Sequence, residues 1–169
     1  MHAGTNDSPA DAEAIPATIT ERIERLGVKI PMKAAAPAGV YVPAVVSGTY
    51  VYTAGQLPFV DGVIPATGKV GAEITAEAAR GYARTSAINA LAAVAAVIGS
   101  LDRVTRIVKV VGFVASDPEF YGQAGVLNGA SELLGEIFGE AGVHARSAVG
   151  VAVLPLNSPV EVELIVEFA

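Results

Sequence analysis

Cysteine is absent from the 169 residues. Its absence excludes a disulfide, a thiolate nucleophile and any Cys-based zinc or iron–sulfur site. Histidine stands only at positions 2 and 144, too few for a His-rich metal centre. Charge is scarce as well: Asp, Glu, Lys and Arg make up 17% of the chain, against about 25% in an ordinary soluble domain. Positive charge is the scarcer sign, with 11 basic residues against 17 acidic and a net charge of −6. A nucleic-acid groove needs a basic stripe and usually aromatic platforms, so nucleic acid is disfavoured as a partner. Long hydrophobic runs are missing too. The longest candidate, Ala87 to Leu101, is too short for a membrane span and is flanked by Arg84 and Asp102. The opening MHAGTNDSPADAEA has neither a basic nor an apolar stretch of the secretory kind. A soluble, cytoplasmic protein is expected. There is no GxGxxG followed by a distant acid, no Walker motif and no GxSxG elbow, which disfavours dinucleotide and phosphate-loop chemistry.

What remains is a small apolar chain of 17.1 kDa, 52% hydrophobic, with a mean hydropathy of +0.51. That composition excludes a disordered protein and fits one domain with a tail. It also leaves too few charges to coat a lone small globule, so part of the surface is expected to be buried against other subunits. Residues 1–17 read as a disordered tail and 18–169 as a single domain with an N-terminal helix extension.

Thr18, with Glu21 three residues on, predicts a capping box for a helix ITERIERLG ending at Gly27. Val28 to Ile30 read as an edge strand stopped by Pro31. Around GTYVYTAGQLP the alternation of Tyr50 and Tyr52 with Val51 and Thr53 predicts paired strands. Residues 75–98 form the clearest helix, capped by Thr75 and stopped by Gly99. The β-branched run at 104–116 reads as a strand covered on both faces, NGASELLGEIFG at 128–139 as a helix core, and 144–155 and VEVELIVEFA as further strands. The predicted order is β-β-α-β-α-β-β, with two helices covering one face of a mixed sheet.

One residue stands out. From 110 to 169 there are eight acidic residues and a single Lys or Arg, Arg146. It lies in an apolar strand, beside the small residues Ala148, Gly150 and Ala152. An unpaired buried charge is expensive, and a guanidinium offers a rigid fork matched to a carboxylate. The leading reading of the raw sequence pairs Arg146 with Glu161 or Glu163 across neighbouring strands. A clamp for a ligand carboxylate comes next, then a plain surface Arg. Weaker candidates are Gly55-Gln56, whose N–H groups could meet an anion although a permissive turn is the commoner cause, and Tyr41, more often a packed surface aromatic. Asn128 reads first as a helix N-cap, Asp61-Gly62 as a turn, and His144 as a residue without a chemical role, its alternative being a base.

The segments AGVYVPAVVSGTYVYTAGQLP, FYGQAGVLNGASELLGEIFG and HARSAVGVAVLPLNSPVEVELIVEFA resemble the RidA/YjgF family of enamine/imine deaminases, over residues 29–169. The branch resembled is often labelled chorismate-mutase-like or endoribonuclease L-PSP. The resemblance implies an α+β, chorismate-mutase-like mixed sheet of about six strands backed by two helices. It also implies a homotrimer with a barrel-like centre and ligand clefts between subunits. The family's carboxylate-binding Arg falls on Arg146 and the Glu of its last strand, which positions or activates water, on Glu161. Its cleft aromatic falls on Tyr41, its turn Gly on Gly55, with Ala54 in place of the usual Ser, and its cleft Asn on Asn128. A Cys of many members is Ala148 here, and the first forty residues exceed those of compact members. The implied chemistry is hydrolysis of 2-aminoacrylate-type enamines and imines to 2-oxo acids and ammonia, with no metal or organic cofactor. The alternatives are a non-catalytic trimeric binder of small carboxylates and, third, an endoribonuclease.

Overall fold

The computed structural model describes residues 17–36 and 39–169. The tail expected over 1–17 lies outside them, its last residue excepted. Helix α1, Ile19–Arg25, is closed by the expected capping box: Thr18 Oγ1 accepts from Glu21 N–H, and Glu21 accepts from Thr18 N–H. It is pinned to the body by Thr20, whose N–H and hydroxyl both donate to Asp102, at 2.9 and 2.8 Å. Those bonds hold the Asp102 carboxyl below its ordinary range. Residues 28–30 are not a strand. Val28 and Ile30 pack against the core instead, and Pro31 has no N–H to extend a ladder.

Strands β1 (Ala44–Ser47) and β2 (Tyr50–Thr53) form the expected hairpin, closed by Gly48 at φ 60°. Helix α2 follows, Ala76–Ile98, with Thr75 accepting from Ala78 N–H and Gly99 ending it at φ 87°. At 23 residues α2 outruns the apolar stretch read from the sequence, and its alanines 79, 83, 87, 90 and 93 are fully buried against the sheet and α3. Strand β3 is Val104–Ala115, helix α3 Gln123–Phe138, β4 Ala145–Val151 and β5 Val160–Phe168. Helix α3 starts five residues before Asn128, so Asn128 is not an N-cap; Gly122 holds that position without a side-chain bond.

The sheet order is β1-β2-β5-β3-β4, five strands among the described residues rather than six, because 28–30 do not pair. Strands β3 and β4 run parallel, joined through α3, and the other neighbours are antiparallel. Both helices cover one face. That face carries Val51, Val110, Val114, Val162, Leu164 and Val166, all essentially inaccessible. Burying it and the matching faces of α2 and α3 is the main stabilising term. Gly112 of β3 belongs there because a Cβ would fall into the Leu127 side chain of α3. The alternate residues of the sheet, among them Tyr52, Ile165, Val111, Phe113 and Val149, face away from the helices and are half-buried or exposed. So large an apolar face left without a helix layer is unusual in a lone domain.

Candidate functional site

Two polar clusters are built on this frame. The first grows from the end of β2. After Thr53 the chain turns and runs beside β5, where Gln56 exchanges both backbone hydrogen bonds with Val162, at 2.9 and 3.0 Å. Beside that bridge the Glu161 side chain reaches across to Gly55, so closely that a Cβ on Gly55 would overlap its carboxyl. A glycine is therefore required here by close approach, not by a left-handed turn. Gly55 and Glu161 line a cavity of about 330 Å³ together with Tyr41, Pro43, Gln56 and Leu156. The N-terminal extension reaches the same cavity through Ala35 and Ala36.

The Glu161 carboxylate has no cation or hydrogen-bond donor among the described residues. Burial raises its pKa above the ordinary carboxylate range, and the negative charge of Glu163, two residues on along the same face, raises it further. Burial raises Glu163 as well. A carboxyl poised in this way holds or releases a proton nearer neutrality, as acid–base work requires. Leu156 and Asn157 adopt positive φ, 57° and 55°. For a leucine this is a strained conformation, stored in the wall of the cavity.

The second cluster sits on the other face of the sheet. Arg146 pairs in register with Val110 and so points toward the helices. Its Nη1 donates to Asn128 Oδ1 at 2.9 Å and to Ser131 Oγ at 3.1 Å, and its Nη2 to the Ala124 carbonyl at 3.2 Å. Every acceptor is neutral. The ion pairs among the described residues are Arg25–Glu21, Arg80–Glu132 and Arg84–Glu136, and Arg146 enters none of them. Its charge is thus held in place without being cancelled, and among the described residues its Nε–H and second Nη2–H have no acceptor.

The expected ion pair of Arg146 with Glu161 or Glu163 is not formed. Strand β3 lies between β4 and β5, and Glu161 pairs with Phe113, which faces away from the helices, whereas Arg146 is level with Val110. The two side chains emerge from opposite faces, three residues or about 10 Å apart along the strands. Within one chain the structure groups Tyr41, Gly55 and Glu161, and separately Asn128 and Arg146. Asn89 of α2 was missed by reading the sequence. Only 5% exposed, it donates to the Leu57 and Phe59 carbonyls at 2.8 and 3.1 Å and so tethers the loop that follows Gly55. The available signal was an amide in an otherwise Ala- and Leu-rich helix segment. No group of three or more His, Asp or Glu converges on a common point among the described residues.

A family model described as YjgF/chorismate mutase-like and of endoribonuclease type matches residues 20–168. The chain belongs to the RidA/YjgF family. The protein TCP17 of Trypanosoma cruzi is 45% identical over 150 residues, 88% of this chain and 93% of that one. The crystal structure of Atu1372 from Agrobacterium tumefaciens is similar at a TM-score of 0.82 and 44% identity, covering 89% of this chain and 92% of its own. TdcF of E. coli, solved with bound serine, is similar at 0.62 and 28% identity, covering 82% and 96%. RidA/YjgF members are characteristically cytoplasmic, and deaminase and endoribonuclease activities belong to the superfamily.

Proposed function

We propose that this RidA/YjgF protein is a homotrimeric deaminase that hydrolyses 2-aminoacrylate-type enamines and their imines to 2-oxo acids and ammonia. The observation that carries this reading is Arg146, a half-buried guanidinium cradled by neutral acceptors, with N–H groups left over for a carboxylate. A cleft between subunits joins the Arg146–Asn128 cluster of one protomer to the Tyr41–Gly55–Glu161 cavity of its neighbour. The apolar sheet face that lacks helices supports such an assembly, since three copies closing around it form the barrel-like centre and hide it from water. The domain spans residues 18–169, with the extension through Ala35 and Ala36 lining the cleft.

In this site Arg146 binds the substrate carboxylate through paired, charge-assisted hydrogen bonds, and Asn128 and Tyr41 flank the ligand. The enamine takes up a proton at carbon to give the protonated imine. Glu161 then receives a proton from water as the water oxygen bonds to the imine carbon. It returns that proton to nitrogen as the C–N bond of the resulting carbinolamine breaks and ammonia leaves, while the hydroxyl proton passes to water, giving the 2-oxo acid. Gly55 keeps the space over the Glu161 carboxyl open. A protonated imine is already electrophilic, so this route calls for no metal or organic cofactor, and only a modest lowering of the barrier is asked of the protein.

The test is the release of 2-oxo acid from enzymatically generated imino acids, comparing the wild type with Arg146→Ala. Acceleration by the wild type and its loss in the variant are expected. No acceleration for any side chain would sink the activity. A second reading is favoured by the serine bound to TdcF: a non-catalytic sensor of small carboxylates using the same clamp. It would show saturable binding without turnover. RNA cleavage comes third, because the chain has few basic residues and His144 is the one histidine among the described residues.

A further inference from the structure

Arg146 is the end of a longer chain of hydrogen bonds. His144, two residues before it, lies at 2.5 Å from the Gly142 carbonyl through Nδ1 and at 2.9 Å from Ser131 Oγ through Nε2. A carbonyl only accepts, so Nδ1 carries the hydrogen. In the neutral ring Nε2 is then the acceptor, and the Ser131 hydroxyl must donate to it. With its proton committed there, Ser131 Oγ presents lone pairs toward Arg146 Nη1 at 3.1 Å. Each link is thereby directed by the one before it, from a backbone carbonyl to a guanidinium. The anchor is rigid: Gly142 is buried and packs so tightly against the Leu134 carbonyl that a Cβ would not fit. Ala124, Asn128 and Ser131 lie four and three residues apart on α3 and share the face presented to β4.

We infer that Ser131 and His144 are positioning residues, a directed relay that fixes the Arg146 guanidinium for a ligand carboxylate. The inference rests on the reading of Arg146 as the carboxylate clamp. A long Arg side chain loses much rotamer freedom when it is held, and a site that has met this cost before the ligand arrives binds more tightly. The relay supplies that ordering without placing a negative charge beside Arg146. Without His144, the Ser131 hydroxyl turns to the carbonyl one helical turn back. It then offers a less directed acceptor to Nη1.

The experiment measures binding of 2-oxobutanoate, a small 2-oxo acid, by calorimetry on the full-length assembly, alongside turnover. Ser131→Ala and His144→Ala are each expected to weaken binding about tenfold, the scale of one lost hydrogen bond to a charged group, while kcat stays within about twofold. Because the links act in series, the double variant is expected to be no weaker than the worse single one. His144→Gln, whose side-chain oxygen can accept from Ser131, is expected to restore much of the affinity. Wild-type affinity in both single variants, with Arg146→Ala binding nothing, would overturn the relay and leave the clamp standing. Additive losses in the double variant would also overturn it. Retained binding in Arg146→Ala would overturn the clamp itself, and the relay with it. Should His144→Ala fail to fold, Ser131→Ala and His144→Gln decide the matter.

Discussion

Adding one methyl group at Gly55 should separate stability from activity. An alanine Cβ there would lie 2.5 Å from Glu161 Cδ and 2.9 Å from Cγ, and closer still to the carboxylate oxygen. The backbone cannot yield easily, because Gln56 and Val162 are locked by two hydrogen bonds immediately beyond. The collision is with the end of a flexible side chain, however, so Glu161 rotates out of the cavity. Leaving its preferred rotamer costs about 0.5–1.5 kcal/mol. Against this, Gly→Ala at a position without left-handed backbone gains about 0.4–1 kcal/mol by restricting the unfolded chain. The two nearly cancel, and Gly55→Ala is expected to unfold in urea within about 1 kcal/mol of the wild type. Turnover is another matter: displacing an acid–base group costs about 10²–10⁴-fold. Gly55→Ala should thus match Glu161→Gln in rate loss while keeping wild-type stability. Turnover within about threefold of the wild type would refute the assignment of Glu161. A stability loss above about 3 kcal/mol would refute the geometric argument.

Asn89→Ala removes both tethers of the 57–59 loop. At about 1 kcal/mol for each lost bond, and more for carbonyls left buried, it should cost about 2–3 kcal/mol in urea unfolding; a loss below about 0.5 kcal/mol would show that the tethers are idle. Glu163 has a raised pKa in the folded state, so the native protein binds its proton more readily than the unfolded chain. Stability therefore falls as pH rises from the ordinary carboxylate range through the raised value. Glu163→Gln should flatten that part of the melting-temperature profile and melt higher at neutral pH, and a profile identical to the wild type's would contradict it.

Much of the fold was legible because its signals are local. Thr75 and Gly99 bracket α2, the Thr18–Glu21 box starts α1, and the alternation in VEVELIVEF sets the buried face of β5. Val28 to Ile30 misled for the same reason: β-branched residues score as strand, yet here they pay for themselves by packing on the core rather than by pairing. The site was only half legible. That Arg146 matters was visible from its isolation in an acidic stretch. Its partners were not, because strand order is a non-local property: with β3 interposed, the neighbouring-strand ion pair disappears and helix α3 supplies the acceptors. Nor could spacing reveal that Gly55 lies over Glu161, or that Ser131 and His144 meet, since these contacts join segments 106 and 13 residues apart.

In the proposed trimer, Glu161 of one protomer and Arg146 of another complete a single site. Mixed assemblies test it most directly. Arg146→Ala and Glu161→Gln chains, each inactive alone, are unfolded, combined in equal amounts and refolded, and 2-oxo acid release is measured. In a head-to-tail ring a random mixture leaves about a quarter of the clefts with both wild-type residues, and about a quarter of wild-type activity is expected to return. A mixture as inactive as its two components would contradict the shared site.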